Sequence, residues 1–453
     1  MDIITKPARA DAGGLVSVLA PRRNARTVID TGLPAHVGAF LQRAGELAKR
    51  TSVSVYAVGG FVRDLLLGRP NLDIDLVVEG DAIAFARAFA KENGGRAKVH
   101  ERFGTAAVVF PDEFKLDVAM ARTEYYKHPS ALPTVQPSSI KEDLFRRDFT
   151  INALALRLNA DRFGELIDFY GGQRDLKERT IRVLHSRSFI DDPTRVFRAV
   201  RFEYRFGFRL GKETLTLIRD AVELGLFHRL SGTRLLEELI LLLSEENPRR
   251  IIKRLDELNL LRFIHPALKR TNRLEALLKS VEAALDWYKV ASLNRARGHP
   301  LIEPWTVYFM ALMDVLPAKA MEEAVNRLHV PGRVVKKIRV GHGAMCRLAR
   351  RLARKSAPRP AEVYRMLEGL SDETVLLVMA SSESEAGTRQ LSSYLATDRY
   401  VRPSLTGRQL KEMGLKPGPQ FKKILDRLLD ARLNGEVTSE QDERALVKRI
   451  LER

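Results

Sequence analysis

The sequence predicts an α+β fold, in which a head with a small mixed sheet and helices precedes an all-helical neck, body and tail. Residues 53–160 alternate short strand patterns with helix patterns, whereas apolar residues recur at helical spacing from residue 161 onward. With 453 residues, 45% of them hydrophobic, the chain is long enough to form more than one core. We therefore expect an N-terminal extension (1–36), the head (37–167), a helical neck (168–275), and a helical body and tail (276–453).

The first 36 residues show no clear periodicity. They are rich in Ala, Gly, Arg and Pro, a composition that is typical of a leader or a loosely packed extension. Phe40, Leu41, Ala44 and Leu47 then recur at helical spacing, which predicts a helix over residues 37–49.

A predicted strand, a glycine pair and a predicted helix follow. Residues 52–58 (SVSVYAV) have the composition of a buried strand, Gly59 and Gly60 end it, and residues 61–68 (FVRDLLLG) follow a helical pattern. Such a turn places backbone N–H groups where they can meet phosphate oxygens, with Arg63 beside them. Taken alone, the glycine pair favours a plain structural turn.

Two aspartates share one face of the next predicted strand. Leu72, Ile74 and Leu76 alternate with Asp73 and Asp75. The apolar side chains are therefore expected to face the core, and the carboxylates to project together from the other face. Oxygen ligands at this spacing suit Mg²⁺, which proteins bind through one or two carboxylates plus substrate phosphates.

A third carboxylate comes from a predicted hairpin. Residues 106–110 and 114–119 form strand patterns around a turn, and Asp117 alternates with apolar residues in the second strand. Asp117 is therefore expected on the same side as Asp73 and Asp75. Three carboxylates beside a phosphate-binding turn suit metal-assisted phosphoryl or nucleotidyl transfer. The alternative, a solvated acidic face, fits poorly because Asp is depleted in strands.

The charge balance indicates a polyanionic partner. Lys and Arg number 76 against 57 Asp and Glu, for a formal charge of +19, and clustered cations bind nucleic-acid phosphates by releasing counterions. No apolar run has the length of a membrane span, and no secretory signal is recognisable at the N-terminus. The single cysteine, Cys346, excludes an intramolecular disulfide and a cysteine-based zinc site. We expect a cytoplasmic protein without a membrane partner.

One stretch of the helical part carries charge of a single sign. Between His329 and Pro360 ten residues are basic and none is acidic. A helix surface usually mixes signs, so this basic run is either a surface that follows phosphates or a solvated face. The candidate nucleic-acid-binding residues in it are Arg347, Arg350, Arg351 and Arg354.

Three ordered motifs carry a family resemblance. GGFVRD at residues 59–64, with DID at residues 73–75, resembles motif A of the polymerase-beta-like nucleotidyltransferases. RRDFTINA at residues 146–153 resembles motif B of one branch, the bacterial-type (class II) tRNA CCA-adding enzymes and bacterial poly(A) polymerases. DDPTRVFRAVRF at residues 191–202 resembles the template motif of that branch, in which Asp191 stands where most members have Glu. The head is therefore expected to be polymerase-beta-like.

The resemblance implies a tRNA 3′-terminal nucleotidyltransferase that adds A, or CCA, from ATP and CTP without a nucleic-acid template. It implies Mg²⁺ held by Asp73 and Asp75, with Asp117 activating the tRNA 3′ hydroxyl. The residues that it assigns to the incoming nucleotide are Gly60, Arg63 and Arg147 for the triphosphate, Asp192 and Arg195 for the base, and Arg198 and Arg201 as further support. By the residues alone, an Asp before Pro193 is equally a helix cap.

The nucleotide specificity stays open at this point. Residues 122–140 resemble the flexible loop of the family at full length, which disfavours addition of CC only. The long basic tail that is usual in poly(A) polymerases of this branch is not present after the last predicted helix, residues 444–451. A-only and full CCA addition are both compatible with the sequence. The alternatives are a bacterial poly(A) polymerase and an RNA-binding protein with an inactive transferase head.

Overall fold

The computed structural model describes residues 25–125, 134–293, 302–352 and 358–452, apart from the side chains of residues 293, 344–347 and 349–350. The chain divides after Leu230 into two units. The finer region boundaries after residues 36, 167 and 275 stay predictions.

The first unit mixes short strands with helices. In chain order its elements are α1 (Arg26–Gly32), α2 (Ala35–Arg50), β1 (Ser54–Val58), α3 (Gly60–Leu66), β2 (Ile74–Glu79), α4 (Ala82–Glu92), β3 (Arg96–His100), β4 (Thr105–Val109), β5 (Lys115–Met120), β6 (Arg122–Tyr125), β7 (Thr134–Pro137), α5 (Ile140–Phe145), β8 (Ala155–Arg157), β9 (Leu166–Ile167), α6 (Gly172–Lys177), β10 (Thr180–Ile181), α7 (Ser188–Asp191), α8 (Thr194–Phe206), β11 (Arg209–Leu210) and α9 (Lys212–Glu223).

Seven of these strands form one mixed sheet, in the order β3-β4-β5-β2-β1-β8-β9. β2 and β5 run parallel, and the remaining neighbours run antiparallel. The predicted hairpin of residues 106–119 is present as β4 and β5. The small mixed sheet expected for the head is thereby confirmed.

The two faces of this sheet have different surroundings. On one face α4 packs against β3, β4 and β5 and α2 packs against β1, and Phe85 and Phe89 of α4 are fully buried there. On the other face α5 covers β1 and β2, where Ile140 and Leu144 pack with Val58. The residues of β3, β4 and β5 on this second face line a cavity. This part of the sheet therefore has room for a ligand.

The N-terminal region departs from the prediction. Residues 25–36 are folded onto the head, since Val28 and Ile29 of α1 are buried and the Ala25 N–H donates to the Gly164 carbonyl at 2.8 Å. The prediction of a loosely packed extension is therefore wrong for these residues, while residues 1–24 lie outside the described part of the chain. Two adjacent apolar residues in a seven-residue helix are too few to produce a visible periodicity.

The segment expected to be a flexible loop has strands at both of its ends. β6 and β7 pair antiparallel, with Thr123 opposite Gln136. The prediction of a loop is wrong at these two ends, because cross-strand pairing over a four-residue strand leaves almost no sequence pattern. Residues 126–133, between the two strands, lie outside the described residues.

The second unit is helical in its described regular elements, as predicted. These are α10 (Gly232–Leu243), α11 (Pro248–Glu257), α12 (Asn272–Leu293), α13 (Pro304–Asp314), α14 (Ala318–Arg327), α15 (Gly332–Leu352), α16 (Pro360–Leu367), α17 (Asp372–Ala380), α18 (Glu385–Ala396), α19 (Gly407–Glu412), α20 (Pro419–Leu433) and α21 (Glu440–Leu451). None of the helices formed by described residues has the length and apolar character that crossing a bilayer requires. A cytoplasmic location stays a prediction.

Candidate active site

Two of the predicted catalytic aspartates lie side by side on the sheet. Asp75 of β2 is directly opposite Asp117 of β5 in the parallel register, so both carboxylates project from the same face. Asp73 immediately precedes β2, and its N–H donates to Asn71 Oδ1 at 2.9 Å. The structure thus brings the three carboxylates to one end of the sheet.

The strand that carries them is shorter than expected. β2 begins at Ile74, and Leu72 is 46% exposed rather than facing the core. The chain enters the strand through a turn held by Asn71, which interrupts the alternation. The prediction that Leu72 is a core residue is wrong.

The electrostatics of this group favour a bound cation. Burial raises the pKa of Asp75, and the Asp73 and Asp117 carboxylates raise it further, while the Arg147 guanidinium opposes them. Lys115 Nζ donates to Asp117 Oδ2 at 2.6 Å. Among the described residues, no group of three or more His, Cys, Asp or Glu side chains is arranged to hold a metal ion by itself. The adjacent carboxylates of Asp75 and Asp117 fit Mg²⁺, which binds through one or two carboxylates and takes its other oxygens from substrate phosphates and water.

Gly59 allows Arg147 to lie next to these carboxylates. Its φ of +71° is in the region that favours glycine. A Cβ at Gly59 would lie 2.7 Å from Arg147 Nη1 and 3.9 Å from Asp75 Oδ2. Any side chain at this position would displace Arg147, and Arg147 Nη2 is held in turn by Asp143 Oδ2 at 2.9 Å.

Arg63 lies in a buried network rather than in the cavity. It is 5% exposed, and its guanidinium donates to both Asp64 oxygens at 2.8 Å and to Asn152 Oδ1 at 2.6 Å. It also lies 4.5 Å from the centre of the Phe206 ring. A Cβ at Gly60 would lie 3.4 Å from Arg63 Nη2. Arg63 therefore joins the glycine turn to motif B.

Asp148 of motif B is bound to the helix that carries the template motif. Arg198 of α8 donates to Asp148 Oδ2 at 2.6 and 2.9 Å, and Asn152 Nδ2 donates to Asp148 Oδ1 at 2.9 Å. Burial acts to raise the pKa of Asp148, but Arg198 and Asn152 outweigh it and hold the pKa at about 2.

The first turn of α8 lies against motif B. Asp192 Oδ1 accepts the Thr194 N–H at 3.0 Å and the Thr194 hydroxyl at 2.7 Å, so Asp192 does cap this helix. Arg195 is buried and donates to Ser188 Oγ at 2.9 Å and to the Arg146 carbonyl at 2.7 Å. Arg201 is also buried, with its guanidinium 5.3 Å from the centre of the Phe202 ring.

Two acidic residues of the site were not predicted. Asp143 is fully buried and accepts from Arg146 and Arg147. Burial acts to raise the pKa of Asp143, but Arg147 and Arg146 outweigh it and lower the pKa. Glu124 Oε1 accepts from Arg122 and Arg146. The spacing of Asp143 three and four residues before the arginines is a usable signal, whereas nothing in the sequence connects Glu124 to Arg146.

One cavity of about 560 Å³ is lined by Asp75, Asp117 and Arg147. Its further basic lining residues are Lys98, His100, Lys115, Arg122 and Arg146. It is large enough for part of a nucleotide, and it presents both anionic and cationic groups.

The basic run of the second unit is partly neutralised. Of the six members whose side chains the structure describes, five form ion pairs with carboxylates from outside the run. These ion pairs are Arg333–Glu303 at 3.6 Å, Lys337–Glu373 at 2.8 Å, Arg339–Glu322 at 2.7 Å, Arg351–Glu362 at 2.9 Å and Arg359–Glu436 at 3.8 Å. Arg354 and the side chains of Arg347 and Arg350 lie outside the described part. Carboxylates from other parts of the sequence thus give much of the basic run a surface with both positive and negative charges.

Two family profiles match the chain. The family described as "Poly A polymerase head domain" matches residues 55–182. The family described as "Probable RNA and SrmB- binding site of polymerase A" matches residues 207–271. Together they cover the sheet, motif B, and the region that follows α8.

Similar proteins extend the match over nearly the whole chain. Over 95% of this chain it is 45% identical to an A-adding tRNA nucleotidyltransferase of Geobacter sulfurreducens, of which it spans about half, 49%. It is 34% identical to an A-adding tRNA nucleotidyltransferase of Halalkalibacterium halodurans, over 89% of this chain and 90% of that one. A solved structure of the Thermotoga maritima CCA-adding enzyme complexed with tRNA is similar with a TM-score of 0.78 and 31% identity, over 94% of this chain and 99% of that one.

Proposed function

Since the chain belongs to the tRNA nucleotidyltransferase family, we propose that it transfers AMP from ATP to the 3′ hydroxyl of a tRNA that ends in CC. The observation that carries the proposal is the placement of Asp75 opposite Asp117 in one cavity that Arg147 also lines, with Gly59 beside Arg147. Two relatives named A-adding support ATP as the nucleotide. Full CCA addition, which also uses CTP, is the second outcome that the experiment below distinguishes.

The transfer makes one bond and breaks one. The 3′ oxygen of the tRNA bonds to the α-phosphorus, the bond from that phosphorus to the bridging oxygen breaks, and pyrophosphate leaves. We assign Asp117 to accept the hydroxyl proton, since it is half-buried and next to Asp75. Asp73 and Asp75 would hold Mg²⁺, which when bound stabilises the negative charge that develops on the phosphate oxygens.

Arg147 and its neighbours would hold the triphosphate. The guanidinium of Arg147 lies beside Gly59 and Asp75 and is oriented by Asp143. A planar guanidinium suits phosphate oxygens, to which it can donate two hydrogen bonds. Gly60 has no side chain, so the backbone there would come close to the phosphates. Arg63 would act as a positioning residue, because its N–H groups are already hydrogen-bonded to Asp64 and Asn152.

Asp192 and Arg195 would select the base, with Arg198 and Arg201 supporting the nucleotide. Adenine and cytosine present an amine beside an accepting ring nitrogen, whereas guanine and uracil present a carbonyl beside a ring N–H. A carboxylate acceptor and a guanidinium donor on one helix are complementary to the first pattern. The bonds of Arg195 to Ser188 and to the Arg146 carbonyl support a rigid selecting group.

An incorporation assay tests the proposal. Purified protein with Mg²⁺ is given ATP or CTP and tRNAs that end before CCA, after the first C, and after CC. We expect a single A on the tRNA that ends in CC and no incorporation of C. Addition of C to the shorter tRNAs would establish full CCA addition, and long A tracts would indicate a poly(A) polymerase. Binding of tRNA without any incorporation would leave the RNA-binding alternative.

A further inference from the structure

The strand at the outer edge of the sheet contributes two basic side chains to the cavity. Lys98 and His100 lie two residues apart on β3, so they project from the same face. Both are exposed, and both line the cavity that contains Asp75 and Asp117. Neither is part of the family motifs or of the proposed metal and nucleotide sites.

The strand register places Lys98 in line with the catalytic carboxylates. Lys98 is opposite Ala107, Ala107 is opposite Asp117, and Asp117 is opposite Asp75. Neighbouring strands are about 4.8 Å apart, so the Lys98 backbone is about 10 Å from that of Asp117. The residue between them is alanine, which leaves the floor of the cavity open.

The next row of paired residues across these strands also begins with a basic residue and continues with small ones. His100 is opposite Thr105, and Thr105 is opposite Ala119. Small side chains therefore again separate a basic residue from the central strands. Together the two rows form a shallow channel that runs from the carboxylates to the edge of the sheet.

Lys98 and His100 have donors available for a ligand. In the ranges covered by the structure, no ion pair joins either side chain to a carboxylate. Lys115 provides the contrast, because its ammonium group is already bound to Asp117 at 2.6 Å. Two exposed basic groups at one end of a channel are complementary to an anionic chain.

The geometry of nucleotidyl transfer indicates which anionic chain Lys98 and His100 would bind. In nucleotidyl transfer the attacking and leaving oxygens lie roughly in line on opposite sides of the phosphorus. Gly59 and Arg147 lie on the β1 side of Asp75, and that is the side proposed for the leaving pyrophosphate. The hydroxyl must then approach from the β5 side, and the RNA attached to it must continue over β4 and β3.

We propose that Lys98 and His100 hold the sugar–phosphate backbone at the 3′ end of the tRNA and thereby position its hydroxyl at Asp117. The inference rests on the proposed function and adds a primer-binding site to it. The ligand class is a single-stranded RNA end, bound through phosphate oxygens. These contacts are independent of base identity.

The test is a double variant, Lys98→Gln with His100→Gln, assayed for AMP incorporation with a tRNA that ends in CC. We expect KM for the tRNA to rise about tenfold, since the charge-assisted contact of Lys98 and the hydrogen bond of His100 are lost, with KM for ATP unchanged. The log–log salt dependence of tRNA binding should also fall by roughly 0.7 for each lost phosphate contact. Lys98→Arg alone should retain near wild-type behaviour, because the charge is kept.

The matched control is Lys91→Gln. Lys91 is an exposed residue at the end of α4, which packs on the opposite face of the sheet. This change removes one charge outside the cavity, so KM for the tRNA should not change.

Two results would overturn the inference. A rise in KM for ATP alone would assign Lys98 and His100 to the triphosphate, and unchanged values for both substrates would make them ordinary surface residues. A wild-type protein that incorporates no nucleotide would instead contradict the proposed function. The two failures are therefore distinguishable.

Discussion

At the residue scale, Asp75 is the side chain on which the proposed chemistry depends most directly. Asp75→Asn should lower incorporation at least about a thousandfold, because the group that binds the metal is lost. Affinity for tRNA should stay near wild type, since the change removes no phosphate contact. Single-turnover incorporation and filter binding measure the two quantities. Near-normal turnover in Mg²⁺ would contradict the assignment of Asp75, and also of Asp73 if Asp73→Ala behaves in the same way.

Asp148 gives a second residue-scale prediction, which concerns stability. Its folded pKa of about 2 lies below the ordinary value of 3.8, so ionised Asp148 stabilises the fold by about 2 kcal/mol at neutral pH. This contribution is fully present above about pH 4 and is lost as the pH falls through 2. Asp148→Asn should therefore lower the free energy of unfolding at pH 7 by about 2 kcal/mol.

Urea unfolding at pH 7 and near pH 2.5 checks this, because the difference between the two proteins should be clearly smaller at the lower pH. A difference that is equal at both pH values would show that the Asp148–Arg198 ion pair is not its cause.

At the element scale, the first turn of α8 combines two roles that substitutions can separate. Asp192→Asn keeps a good helix cap but replaces a pure acceptor with a group that also donates. We expect an unchanged Tm and a clear loss of preference for ATP over GTP and UTP. The measurement is incorporation of each nucleotide in parallel with thermal unfolding. A lower Tm with intact selectivity would mean that Asp192 only caps the helix.

Elements with strong local patterns were predictable, and those that depend on distant partners were not. The helix α2, the glycine turn and the β4–β5 hairpin follow from periodicity and turn residues. The buried bonds of Arg63 to Asn152 and of Glu124 to Arg146 join distant parts of the chain. Spacing in a sequence carries no record of such contacts.

At the scale of the whole molecule, some of the basic residues that contribute to the formal charge of +19 are already paired with carboxylates, which the sequence does not reveal. Arg351 of the basic run is bound to Glu362, so this guanidinium must exchange partners before it can contact RNA. The role of Arg347, Arg350 and Arg354 in tRNA binding stays a prediction. It follows that net charge alone does not locate the surface proposed to bind tRNA.

Neutralising Arg347, Arg350, Arg351 and Arg354 together should weaken tRNA binding and lower its log–log salt slope. The expected change is roughly 0.7–0.9 for each phosphate contact that is lost, with KM for ATP unaltered. tRNA affinity at several salt concentrations provides the measurement. The control is Arg333→Gln with Arg339→Gln, since both residues are already paired with carboxylates and should change the slope less. Equal slopes for all three proteins would make the basic run a solvated face.

The position of β3 at the edge of the seven-stranded sheet has a consequence for self-association. A terminal strand offers unpaired N–H and C=O groups to any other extended chain, and proteins commonly block such pairing with charged side chains. Arg96, Lys98 and His100 all project from one exposed face of β3. Like charges on two copies would repel when their edges approach. The residues that we assign to the RNA end would therefore also protect the sheet from edge-to-edge aggregation, and selection for solubility would act on them together with selection for catalysis.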